Sequence, residues 1–358
     1  MPHLFDPVSF SHGPAMKNRF MLAPLTNQQS HADGTLSDDE FRWLTMRAEG
    51  GFGLTMTCAS HVQAIGQGFA GQLGCFDDVH LEGLTRLATA IRAQDSVAIV
   101  QLHHAGRRSP KDLIGTDPVS AGDDDKMGAR AMTTAEVEEM IEAFVSAAVR
   151  VEKAGFHGAE LHGAHDYVLC QFLNADLNQR ADRFGGSFEN RQRVLFEIID
   201  GIRDRCGPDF HLGVRLSPER FGMRTDEIVE VYQRLVSENK VDMIDMSLWD
   251  VFKNGAEDGY ADRRLVDVFA NLERGSTRLA VAGKLYSAHD MARAIDAGAD
   301  IVAVGRAAIT NHDFPNQTRT NPDFTMRELP VPRATLREEG LSDLFIGYMG
   351  NWPGFAGE

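Results

Sequence analysis

The chain has 358 residues, 43% apolar and 25% charged, which is enough to bury a large core and excludes a disordered, collagen-like or coiled-coil protein. Asp and Glu number 52 against 36 Lys and Arg, and the resulting net charge of −16 argues against a reader of nucleic-acid backbones. No apolar run reaches the roughly 18 residues a membrane helix needs. The opening Met1-Pro2-His3-Leu4-Phe5-Asp6 carries no basic segment ahead of an apolar one, so a cytoplasmic protein is expected, with no membrane partner. Cys58, Cys75, Cys170 and Cys206 form no C-x-x-C pair, so neither a zinc knuckle nor an iron–sulfur cluster is expected.

In chain order, an N-terminal strand is predicted over 19–23. A helix over 38–49 follows, then Gly50-Gly51 and a strand over 53–57. The next pair is a helix over 81–93 and a strand over 97–102. Thr133 with Glu136 reads as a capping box. Val137, Met140, Ile141, Phe144, Val145, Ala148 and Val149 then form one helical stripe that stops near Gly155. A strand over 156–161 ends in a polar cluster. Four more helix–strand pairs follow: 187–205 with 211–216, 225–238 with 243–246, 264–272 with 279–282, and 287–297 with 301–304.

Eight short apolar strands separated by helical patterns predict an α/β fold, a single (β/α)8 TIM barrel over 1–358. The stretch 112–133, with Asp123-Asp124-Asp125, reads as an insertion over the barrel mouth and mainly as a solvated acidic loop. A tail covers roughly 315–358. Its Tyr348-Met349-Gly350-Asn351-Trp352-Pro353 is too aromatic for an idle terminus.

Chemistry in such barrels sits where the strands end. Gly283-Lys284 and Gly305-Arg306 close the last two strands, the usual phosphate position of the fold, where glycine admits an anion and arginine can grip it. His162-Gly163-Ala164-His165-Asp166-Tyr167 closes the fourth. Its two histidines could bind a metal, but no carboxylate or cysteine at ligand spacing completes a site. As paired donors beside a phenol, they suit a substrate that gains charge on oxygen and a proton on a neighbouring carbon. Arg215 lies within a strand and needs an anion, either a structural carboxylate or an electron-rich cofactor edge. Gln101 offers both donor and acceptor to a heterocycle. Arg107-Arg108 reads as a solvated loop end.

These residues resemble the Old Yellow Enzyme family of FMN-dependent ene-reductases. The matching segments run from Asn18-Arg19-Phe20-Met21-Leu22-Ala23-Pro24-Leu25-Thr26 through Gln101-Leu102-His103-His104-Ala105-Gly106-Arg107 and His162 to Arg191, ending at Val304-Gly305-Arg306. The resemblance implies noncovalent FMN across the mouth. Pro24, Leu25, Thr26 and Ala59 would line its ring, Gln101 and Arg215 its pyrimidine edge, and Gly283, Gly305 and Arg306 its phosphate. It further implies that NADPH or NADH reduces the flavin. An α,β-unsaturated carbonyl compound would then bind through His162 and His165, receive hydride at its β-carbon and take a proton from Tyr167.

The chain departs from the family in places. Thr26 and Gln28 stand where one branch has cysteine and tyrosine, and Asp166 stands where glycine is common. Larger relatives append an iron–sulfur and dinucleotide module, and none is expected here. A homo-oligomer is compatible with the tail, which in some relatives closes a neighbour's site. Two other readings compete. One is a non-redox sugar-phosphate barrel enzyme, which leaves Gln101 and Thr26 without a task. The other is a flavin-binding barrel that acts on a different substrate class or turns over poorly.

Overall fold

The computed structural model describes residues 3–357. Among them the strands are β1 (Phe20–Leu22), β2 (Leu54–His61), β3 (Val97–His103), β4 (Val119–Ser120), β5 (Arg130–Ala131), β6 (Gly158–Gly163), β7 (His211–Leu216), β8 (Met243–Ser247), β9 (Arg278–Ala282) and β10 (Ile301–Val304). Eight of them close a parallel barrel in the order β1-β2-β3-β6-β7-β8-β9-β10, and β10 pairs back with β1. The (β/α)8 barrel expected from the sequence is therefore the fold.

The 134–153 helix begins where the sequence places its cap. Thr133 and Glu136 form the capping box of helix Thr134–Lys153, and Ser287 and Asp290 form that of Ala288–Asp296. The 134–153 helix buries Val137, Met140, Phe144, Val145 and Ala148, the stripe that turns it toward the barrel wall. A second core fills the barrel itself, with Met21, Leu54, Met56, Ile99, Met243 and Ile301 among its members. Val8 and Met16 pair antiparallel ahead of β1 and join this inner core, and Phe10 meets the His211 ring edge-on at 4.5 Å. This end of the barrel is plugged with apolar side chains.

The structure corrects three sequence readings. Residues 112–133 do not form a freely solvated acidic loop. β4 and β5 pair in parallel there, Asp123 Oδ1 accepts from the Ala131 backbone at 2.7 Å, and Asp124 is ion-paired to Arg107 at 2.7 Å. Arg107 accordingly is no solvated loop end. Strands β2 and β3 run beyond their predicted ends to His61 and His103, and β2 continues past a register irregularity between Met56 and Ala59. The tail is ordered as helices Phe314–Thr320, Arg333–Glu338 and Asp343–Met349. Phe345 packs edge-on against Trp43 at 4.9 Å, with both side chains buried. Burial of each large apolar side chain contributes about 1.5–3 kcal/mol, which anchors the tail at the barrel mouth.

Candidate active site at the barrel mouth

The carboxyl ends of the strands surround a cavity of about 530 Å³. β1 runs into Pro24, Leu25 and Thr26, which form one wall. The loop behind them is held by Glu40: Asn27 Nδ2 donates to its Oε1 at 3.1 Å, as does the Cys58 thiol at 3.1 Å, and the Ser30 hydroxyl donates to its other oxygen. Burial raises the Glu40 pKa.

β6 delivers the histidine cluster. The His162 and His165 rings meet edge-to-face at 5.1 Å, and His162 lies 5.0 Å from the Tyr167 ring. Both imidazoles are neutral. Burial, followed by the neighbouring imidazoles, drives His162 well below the usual histidine range. Burial followed by Arg215 and Arg108 brings His165 to about 3. Among the described residues His162 Nδ1 is buried without a partner. His165 Nε2 shares a hydrogen bond with Ser247 Oγ at 2.7 Å. Burial raises the Tyr167 pKa, so its phenol keeps its proton at neutral pH. The ring is clamped by His103, edge-on at 4.2 Å, and by the Arg108 guanidinium at 5.0 Å.

The turn that carries these groups has positive φ at His165 (60°) and Asp166 (64°), where glycine is the easiest occupant. Asp tolerates that region better than most residues. Asp166 neither bonds a histidine nor points to solvent. Its carboxylate takes two bonds from Arg107, at 3.2 and 2.6 Å. Arg107 also holds Asp124, so the insertion braces the histidine turn.

The opposite side carries positive charge. Arg215, Lys284 and Arg306 line the cavity together with Gly283 and Gly305. Gly283 has φ 147°, and a Cβ there would lie 2.7 Å from Trp249 and Asp250 backbone atoms, so only glycine fits. A Cβ on Gly305 would touch only Leu25 Cδ2, at 3.7 Å, which leaves the space above it free for a ligand. No carboxylate lines this cavity among the described residues, although acids outnumber bases in the chain. A ligand that carries an anionic group together with apolar surface fits this lining.

Of the residues singled out from sequence, Pro24, Leu25, Thr26, His165, Tyr167, Arg215, Gly283, Gly305 and Arg306 line the one cavity. Ala59, Gln101 and His162 are buried and do not line it. Ala59 is buried at the β2 bulge, its carbonyl accepting from Gln72 Nε2 at 2.7 Å. Gln101 is buried and donates through Nε2 to Glu160 Oε1 at 2.7 Å. Arg215 has the structural carboxylate, its Nε lying 2.9 Å from Asp245 Oδ2, and it also lines the cavity.

The sequence offers no signal that Ser247 reaches the histidine turn, and it marks Tyr348, Met349 and Trp352 only as part of a tail that could close a neighbour's site. These three tail residues line the chain's own cavity, with Tyr348 stacked edge-on to Trp352 at 5.1 Å and its hydroxyl facing Thr26. The tail's aromatic composition was the available signal.

Comparison with known proteins agrees with this geometry. The NADH:flavin oxidoreductase / NADH oxidase family matches residues 3–322. A probable NADH-dependent flavin oxidoreductase of Bacillus subtilis, YqiG, is 34% identical over 321 residues, which is 87% of this chain and 86% of the relative. An NADH:acrylate oxidoreductase of Vibrio harveyi is 31% identical over 88% of this chain, which spans only 33% of that longer protein. Morphinone reductase in complex with tetrahydroNAD superposes with a TM-score of 0.79 at 27% identity, covering 96% of this chain and 97% of that one. The chain thus belongs to the NADH:flavin oxidoreductase family, the Old Yellow Enzymes, whose barrels bind FMN and take electrons from NADH or NADPH.

Proposed function

We propose that this protein is an ene-reductase that uses NAD(P)H to saturate the C=C bond of α,β-unsaturated carbonyl compounds. The observation that carries the reading is the cluster of two neutral imidazoles and one protonated phenol at the mouth of a cationic cavity. Pro24, Leu25, Thr26 and Ala59 would flank the FMN ring, Gln101 and Arg215 its pyrimidine edge, and Gly283, Gly305 and Arg306 its phosphate. The bound FMN supplies the hydride chemistry, accepting hydride from NAD(P)H and releasing it to the substrate alkene.

The protein's own residues do the rest. His162 and His165 donate hydrogen bonds to the substrate carbonyl. Neutral imidazoles donate without placing a full positive charge in the pocket, and they stabilise the enolate-like charge that develops on oxygen. His165 first has to exchange its Ser247 partner or donate through its other nitrogen. Tyr167 delivers the proton to the α-carbon, and its raised pKa keeps that proton in place until the carbon becomes basic. Tyr348 and Trp352 cover the cavity and shed water from it.

The test is where isotopes appear in the product. With 2-cyclohexen-1-one, deuterium from labelled NAD(P)H should appear at the β-carbon and deuterium from D2O at the α-carbon. Recovery of unreduced enone from enzyme that NAD(P)H has reduced would refute the reading.

A further inference from the structure

Behind the cavity lies a buried charge cluster with no task in the scheme above. Glu160 on β6 and Asp245 on β8 are both 0% exposed, and Arg215 on β7 lies between their strands at 5%. Arg215 and Asp245 are register partners, as are Gln101 and Glu160. Glu160 is the register partner of Gly213 on β7, where an added Cβ would sit 3.4 Å from Glu160 Cγ. Gly213 therefore leaves room for the Glu160 side chain.

The polar bookkeeping of this cluster is incomplete. Glu160 Oε1 receives Gln101, but Oε2 has no partner. Asp245 lies within ion-pair distance of Arg215 Nε, yet the angle is wrong for a hydrogen bond, and both its oxygens lack one. Two carboxylates against one guanidinium leave one uncompensated negative charge in a dry interior. One of the two keeps a proton, because two buried like charges do not both ionise at low cost. Burial first, then the opposing carboxylate, raises the Glu160 pKa, and burial raises that of Asp245. Around Glu160 the charged groups are Asp245 from β8 and Arg215 from β7, while β3 contributes the neutral Gln101. Arg215 faces Asp245, and the imidazoles of His162 and His165 lie within its field.

We propose that Glu160 and Asp245 form a proton-sharing pair that aims Gln101 and Arg215 at the FMN pyrimidine edge and holds the proton that offsets the charge gained there on reduction. The inference rests on the proposed placement of FMN at Gln101 and Arg215. Hydride from NAD(P)H brings two electrons and one proton, so the bound cofactor gains one negative charge. In alkaline solution the resting pair loses its shared proton. Reduction calls one proton back from water at the mouth, and reoxidation by substrate returns it. Glu160 and Asp245 are positioning residues in this account, since neither lines the cavity.

The experiment follows protons rather than turnover. FMN-loaded protein is photoreduced without oxygen in weak buffer with a pH-indicator dye, from about pH 6 to about pH 9. Wild type should take up extra protons in the alkaline part of that range, and Glu160→Gln and Asp245→Asn should lose this excess while still binding FMN. Infrared difference spectra of the same proteins, with and without FMN, should show a protonated carboxyl band at neutral pH that Glu160→Gln removes. The band in FMN-free protein with no excess uptake on reduction would sink the link to FMN and leave the acid pair standing. Absence of the band in both forms, or uptake profiles identical in wild type and Glu160→Gln, would overturn the proposal itself.

Discussion

Replacing Tyr167 with phenylalanine removes one oxygen and little else. The ring keeps its edge contacts with His103 at 4.2 Å and His162 at 5.0 Å, so the fold should lose no more than about 0.5 kcal/mol. Among the described residues no hydrogen bond contributes to the phenol's environment, so the change orphans no partner. The full effect should therefore fall on the proton transfer. A positioned general acid is worth about 10²–10⁴ in rate, or about 3–5 kcal/mol of barrier. Stopped-flow spectroscopy separates the half-reactions. Reduction by NAD(P)H should change less than about two-fold, whereas reoxidation by 2-cyclohexen-1-one should slow by about 10²–10⁴. The wild-type reoxidation rate should stay level through neutral pH, since burial holds the phenol protonated. Equal losses in both half-reactions, or an unchanged reoxidation rate, would refute the assignment.

Ser247→Ala deletes the 2.7 Å partner of His165, and steady-state kinetics should show KM for the enone changed by about five-fold, the worth of about 1 kcal/mol in one hydrogen bond. Arg306→Ala removes a cation from the phosphate side of the mouth, and the Kd for FMN, read by flavin fluorescence, should rise about 10–100-fold, the worth of a charge-assisted bond. Stability should fall in acid. His61 and His211 titrate at about 4 and His104 at about 3 in the fold, against 6.5 when free, because burial favours the neutral ring. A folded pKa below the unfolded one means that stability is complete above pH 6.5 and is lost as pH drops toward 4. At pH 5 the three groups should cost roughly 2 kcal/mol each, and urea unfolding at pH 8 and pH 5 should reveal the difference. Equal unfolding midpoints at the two pH values would contradict it.

The barrel is legible in the sequence because its signals are local. Thr133 with Glu136, Gly50-Gly51 and Gly155 mark unit boundaries within a few residues. The histidine–tyrosine cluster is legible for the same reason, since β6 and its turn hold all three groups within six residues. What stayed hidden depends on closure of the barrel. Ser247 reaches His165 only across β7, and Tyr348 and Trp352 return from the far end of the chain. Glu160 and Asp245 could have been flagged by the rule applied to Arg215, since each is a charge inside a strand. Their sharing of one arginine is a matter of sheet register, which no local pattern encodes. The 112–133 insertion misled because charge density was read as solvation, whereas Arg107 collects two carboxylates from segments far apart in sequence.

An anaerobic titration in one cuvette tests the central claim most directly. Protein purified with FMN should be yellow, NADH or NADPH should bleach it, and 2-cyclohexen-1-one should bring the colour back in proportion to the enone consumed. Protein that takes up no FMN, or that stays bleached in the presence of enone, would contradict the account.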